Sequence, residues 1–198
     1  MMSRSRYHQR LAPLLKRPSF TAAEAGQLGI PSYALTYLVK IGALERIARG
    51  IYRSSDYTPQ VDITLEALAL IASTVPNGVI CLISALDYYG LTDELPREHW
   101  IAIPHAQRVP VRRFAHIVKM RNTEIGRESI CMGEYRVMIF DRERCIVDAF
   151  RYLSPEIAIK ALRAYLEAKD YRPDLRKLST YARQFRVKLR PYILSLTT

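Results

Sequence analysis

The pattern of apolar and polar positions is clearest between Thr21 and Arg53. At about 100° per residue, Ala34, Leu35, Leu38, Val39 and Ile41 occupy one side of a helix, while Ser32, Tyr33, Thr36, Tyr37 and Lys40 occupy the other. A shorter helix precedes it. Thr21 followed three positions later by Glu24 makes a capping box, in which hydroxyl and carboxylate satisfy amides that the first turn leaves without partners, so this helix begins at Ala22. Gly29 ends it. Pro31 and Ser32 start the second helix, which runs to about Ile41 before Gly42. Leu44 to Ile47 and Ile51 to Arg53 are then short β-favouring segments. They are joined by Ala48-Arg49-Gly50, a three-residue hairpin connection with glycine where a positive φ is needed.

The rest of the chain parses into helices and a small sheet. Ile63, Ala67, Leu68, Leu70 and Ile71 give Asp62 to Ala72 helical spacing, the turn Pro76-Asn77-Gly78 follows, and Val79 to Tyr89 reads as a second core helix. His99 to Ile103, Phe114 to Met120 and Tyr135 to Phe140 are β-branched or alternating runs bounded by Pro104, Pro110, Gly126 and Gly133, which predicts a small antiparallel sheet. Ser154-Pro155-Glu156 supplies an N-cap, an N1 proline and an acidic first turn for a helix through Leu162, Tyr165 and Leu166. Pro173 and Pro191 punctuate two more. The fold class is α+β. A chain of 198 residues can bury two modest cores, and Ser54 to Pro59 is the natural divide between domains at 1–55 and 60–198.

Charge sharpens the N-terminal pattern. Residues 1–53 hold 9 Lys and Arg against 2 Asp and Glu, residues 54–153 hold 11 against 13, and residues 154–198 hold 10 against 4, within a formal net charge of +11. Positive charge at both ends and a near-neutral middle point to a polyanionic partner. Two helices and a basic hairpin in this order are the outline of a winged helix-turn-helix, whose second helix enters the DNA major groove while the wing grips phosphate. Ser32, Tyr33, Thr36, Tyr37 and Lys40 are the candidates for base edges or phosphates, and Arg46, Arg49 and Arg53 for the backbone. A membrane is the competing polyanion. No run approaches the ~18 apolar residues a span requires, and the basic stretch Arg4 to Arg17 lacks the apolar core of a signal peptide, so a soluble, cytoplasmic protein is expected.

Catalytic chemistry is not expected. Cys81, Cys131 and Cys145 are far apart in apolar surroundings, which predicts buried reduced thiols, and the four histidines have no metal-ligand spacing, so no metal and no cofactor is anticipated. Asp141, Glu143 and Asp148 gather at a helix start, where acids favour the dipole. An enzymatic reading, such as a nuclease, would need those three to converge on a cleft. Arg172, Arg176, Lys177, Arg183, Arg186, Lys188 and Arg190 crowd the C-terminal helices among Tyr181, Phe185 and Tyr192. These cations either extend a DNA footprint or meet an acidic protein.

Several stretches together resemble one family. The "LGI" segment with "GALERIARGIYR", then "ICLISALDYYGLTDELPREHWIAIP", "FDRERCIVDAFRY" and "AIKALRAYLEAKDYRPDLRKLSTYARQFRVKLRPYI" are similar, in that order, to the AbiEi antitoxins of type IV bacterial toxin–antitoxin systems. The resemblance runs from about Leu11 to Leu196. It implies a DNA-binding transcriptional repressor of its own operon, with double-stranded operator DNA as one partner. It also implies a C-terminal domain that opposes a nucleotidyltransferase-like toxin encoded alongside. A winged-helix adaptor that binds protein instead of DNA is the alternative, and it predicts an apolar, covered surface around Tyr33 and Tyr37. Neither reading specifies an oligomeric state.

Overall fold

The computed structural model describes residues 2–58, 62–112 and 114–197, and the chain divides into two compact units. The first comprises residues 1–74 and 131–136, the second residues 75–130 and 137–198. The sequence divide at Ser54 to Pro59 runs into residues 59–61, which lie outside the described residues.

The first unit begins with α1 (Met2–Leu15), followed by β1 (Phe20–Thr21), α2 (Ala22–Gln27), α3 (Ser32–Lys40), β2 (Leu44–Ala48), β3 (Ile51–Ser54) and α4 (Ile63–Ser73). The capping box is present: the Glu24 amide donates to Thr21 Oγ1 at 3.1 Å, and the Thr21 amide donates to Glu24 Oε2 at 2.7 Å. Gly29, at φ 73°, reverses the chain after α2, and the Ile30 amide returns to the Ala25 carbonyl at 3.0 Å. This closure buries Ile30 beneath the turn. Pro31 is the N-cap of α3 and so lies just before its first turn. Leu35 and Leu38 of α3 join Leu11, Phe20, Ala25, Ile30, Leu44 and Tyr52 in one buried cluster. Each large apolar side chain removed from water there contributes about 2 kcal/mol.

The wing sheet has three strands in the order β1-β3-β2, all antiparallel. Ala48 pairs with Ile51, so the hairpin connection is Arg49-Gly50, shorter than the expected three residues, and a register shift between Arg46 and Ala48 takes up the difference. Gly50, at φ 75°, also offers its carbonyl to the Ala22 amide at 2.8 Å, tying the wing tip to the start of α2. Neither α1 nor β1 was expected from the sequence. Residues 2–15 show little amphipathic pattern, and two residues are too few to carry a period.

In the second unit β4 (Val79–Ile80) leads into α5 (Leu82–Tyr88), followed by β5 (His99–Pro104), β6 (Ala115–Met120), β7 (Arg127–Met132), β8 (Tyr135–Phe140), α6 (Arg142–Tyr152), α7 (Pro155–Leu166), α8 (Leu175–Gln184) and α9 (Arg190–Thr197). The expected single helix at Val79 to Tyr89 is therefore a two-residue strand, then a helix. Val79 and Ile80 are β-branched, follow a turn and pair antiparallel with Ala102 and Ile101, which wins over helical spacing.

The sheet order is β6-β5-β4-β8-β7, and it is mixed, not antiparallel: β5 runs parallel to β6, and β4 parallel to β8. Alternation reads the same in either direction, so the pattern could not fix strand sense. The β7–β8 tip, residues 131–136, clusters with the first unit. Cys81 and Cys145 are buried as expected, but Cys131 is exposed, because it sits on the sheet-edge strand β7. Among the described residues no helix is long and apolar enough to cross a membrane, and no group of three or more His, Cys, Asp or Glu is placed to hold a metal ion.

Candidate nucleic-acid interface

The amphipathic division of α3 decides what the first unit can present. Ala34, Leu35 and Leu38 are buried, Val39 and Ile41 half-buried. Ser32, Tyr33, Thr36, Tyr37 and Lys40 are all exposed on the opposite flank. Tyr33 is 70% exposed and Tyr37 49%, so two large aromatic side chains project into solvent from the helix that the core holds rigid. Isolated exposed aromatics are ordinary; two within one turn, with a cation at the next, form a surface that can meet base edges and sugar. The Thr36 hydroxyl donates to the Ser32 carbonyl at 3.1 Å, and its oxygen keeps the capacity to accept. Tyr33 Oη lies 3.1 Å from Tyr7 Oη on α1, and that contact raises the Tyr33 phenol above its ordinary pKa.

The wing separates its three arginines into two kinds. Arg46 and Arg49 are exposed, Arg49 at the turn, and neither makes an ion pair among the described residues. Arg53 is different. Its guanidinium donates to Glu45 Oε2 at 3.0 Å and Glu66 Oε2 at 3.2 Å, and its side chain is only 19% exposed. Burial works against the Arg53 charge, but the two carboxylates outweigh it and hold the guanidinium more firmly protonated than usual. Of the eight candidates, seven are thus exposed and available, and Arg53 is committed to bracing β2 and β3 against α4.

Residues 9–55 match the family model of the AbiEi antitoxin transcriptional regulators. Over that span the chain is similar to the AbiEi regulators. The match opens inside α1 and closes just after β3, so it covers the helices, wing sheet and core that present the α3 flank. No curated protein matches the chain. Beyond residue 55 the AbiEi likeness rests on the sequence motifs alone.

Outside the AbiEi match, the three acids singled out in the sequence lie in the second unit, and each is buried and paired. Asp141 caps α6 by accepting from the Arg144 amide at 2.8 Å. It also accepts from the Tyr181 hydroxyl at 3.0 Å and meets Lys177 Nζ at 3.1 Å. Glu143 accepts from the Tyr165 hydroxyl at 2.7 Å and lies 3.2 Å from the same Lys177. Asp148 faces Arg144 Nε at 2.8 Å and Arg151 Nη1 at 2.6 Å. Burial raises the Asp148 carboxyl above its ordinary pKa in spite of both cations, whereas Asp141 and Glu143 raise the Lys177 ammonium against the opposing effect of burial. Fully buried Arg144 also donates to the carbonyls of Asn122 at 3.0 Å and Ile125 at 2.7 Å, and its guanidinium lies between the Phe140 and Phe185 rings. These acids fix α6 against α7, α8 and the loop before β7.

Sequence reasoning missed Tyr7, Glu45 and Glu66. No local signal marks Tyr7. Glu45 opposite Arg53 could be found by pairing the two hairpin strands from the turn outward, since they are cross-strand partners.

Proposed function

We propose that this AbiEi-type chain is a DNA-binding repressor of its own operon, with α3 in the major groove and the wing over the flanking phosphates. The observation that carries the reading is the exposed flank of α3, polar and aromatic, on the same unit as Arg46 and Arg49, which make no ion pair among the described residues. In this arrangement Thr36 and Tyr37 contact base edges, Lys40, Arg46 and Arg49 contact phosphate, and Ser32 and Tyr33 sit at the groove margin. An adaptor role would instead show as a protein complex that forms on the Tyr33 and Tyr37 surface without nucleic acid; the polar and cationic neighbours Ser32, Thr36 and Lys40 favour the DNA reading. As implied by the AbiEi resemblance, the protein also acts as antitoxin to a nucleotidyltransferase-like toxin encoded beside it.

Fluorescence anisotropy with the duplex upstream of the gene, against a scrambled duplex of equal length, tests the DNA reading. The expected result is preference for the upstream duplex, and loss of about 1–3 kcal/mol of that preference in Thr36→Ala/Tyr37→Ala. Equal binding of both duplexes by the unaltered protein would refute sequence-specific repression. Co-expression with the adjacent gene tests the antitoxin limb, which fails if growth arrest persists.

A further inference from the structure

The second unit carries a groove that the DNA reading does not use. It lies between α8 and α9 and has a volume of about 570 Å³. Ala182, Val187 and Leu189 form its floor, while Leu175 and Leu194, 43% and 54% exposed, stand at its edges. The groove exists because of how α8 ends. Arg186 adopts φ 59°, and the Val187 amide returns to the Ala182 carbonyl at 2.8 Å while the Arg186 amide bonds the Arg183 carbonyl at 3.2 Å. That reversal holds Val187 against the helix and starts α9 beside it.

The rim is cationic. Arg183, Lys188 and Arg190 border the apolar floor, are exposed, and make no ion pair among the described residues. Residues 175–198 contain six Lys and Arg and no Asp or Glu. An apolar floor gains nothing from a phosphate backbone, and three unpaired cations repel a basic partner. The volume is that of several leucine side chains in a row, not of one.

We propose that the α8–α9 groove docks an amphipathic helix of a partner protein, with leucine-like residues along one face and acidic residues flanking them. Apolar anchors at i, i+4 and i+7 fill the floor, and the flanking carboxylates meet Arg183, Lys188 and Arg190. The cations set orientation and association rate, and the apolar anchors supply most of the affinity. This surface is independent of the operator-binding proposal.

The test uses the full chain and three fluorescein-labelled helical peptides: leucines at those positions with glutamate flanks, the same leucines with lysine flanks, and the glutamate peptide with its leucines changed to alanine. Saturable anisotropy change is expected with the first alone. Leu194→Asp, and separately Arg183→Glu/Arg190→Glu, should each weaken it at least about tenfold while thermal unfolding and upstream-duplex binding stay unchanged. Equal binding of the alanine peptide, or indifference to Leu194→Asp, would overturn the proposal, since attraction of charge alone would then suffice. So would loss of duplex binding in Arg183→Glu/Arg190→Glu without loss of peptide binding, which would assign the face to nucleic acid. A concentration-dependent dimer abolished by Leu194→Asp would overturn it in favour of a second copy of the chain.

Discussion

Replacing Lys40 and Arg49 together by alanine isolates the electrostatic part of the proposed DNA contact. Both side chains are exposed and neither makes an ion pair among the described residues, so folding stability should change by no more than about 0.5 kcal/mol. Each phosphate contact contributes about 0.9 to the slope of log K against log salt, so the double variant should flatten that slope by about 1.8. At roughly 0.15 M salt the same relation gives about 1 kcal/mol per contact, hence about 30-fold weaker binding. Arg53→Ala is the internal control. Its guanidinium is held by Glu45 and Glu66, so the slope should be unaltered even though a formal positive charge is removed. Anisotropy titrations on the upstream duplex across a salt series measure both. An unchanged slope in a folded double variant, or an equal fall in Arg53→Ala, would show that the surface was assigned wrongly.

Three further outcomes follow from the packing. Arg53→Ala leaves Glu66, 5% exposed and with Oε1 already lacking a hydrogen-bond partner, without its cation. The cost should be about 2 kcal/mol in urea unfolding, below the ~3–5 of a fully buried pair because Arg53 is partly solvated, and Arg53→Ala/Glu66→Leu should recover most of it. The Glu24 carboxyl is pushed up by burial, but hydrogen bonds from Thr21 and Arg17 outweigh this and hold it below its ordinary value. Its folded pKa lies below its unfolded one, so its stabilisation is complete above about pH 4.3 and is lost as pH falls through the folded value. Glu24→Gln should flatten that part of the melting temperature profile, and an unaltered acid limb would refute it. Arg186→Gly should raise unfolding stability by about 1 kcal/mol, because φ 59° is costly for a residue with a Cβ.

Local rules made the first unit legible. The Thr21–Glu24 box, the glycine reversals and the two-sided pattern of α3 depend on residues a few positions apart, and α2, α3 and the wing strands appeared where those rules placed them, though with a tighter wing turn than expected. The helix start at Ser154 was equally readable from its cap, that at Asp62 from the apolar spacing behind it, and that at Asp141 from the acids gathered there. What escaped depends on distance along the chain. Parallel pairing of β5 with β6 depends on which end of the sheet the chain re-enters after β5, which no period encodes. Cys131 looked buried because its neighbours are apolar, yet an edge strand turns alternate side chains outward. Arg53 and Glu66 are separated by 13 positions and meet only once α4 packs on the wing.

The same distinction governs how a net charge of +11 should be read. A count treats every cation as a potential contact for a polyanion, but folding removes many of them from that pool. Arg17, Arg53, Arg127, Arg144, Arg151, Lys160 and Lys177 are each within ion-pair distance of a carboxylate. Lys40, Arg46 and Arg49 on the first unit, and Arg183, Lys188 and Arg190 on the second, are exposed without such partners among the described residues. The two groups of free cations have different companions. In the first unit they stand with hydroxyls and aromatic rings on a rigid helix flank and a hairpin tip, a composition suited to phosphates and base edges. In the second they border an apolar floor, whose burial rewards an apolar occupant. Charge alone predicts one partner class for both surfaces; charge together with its companions predicts two.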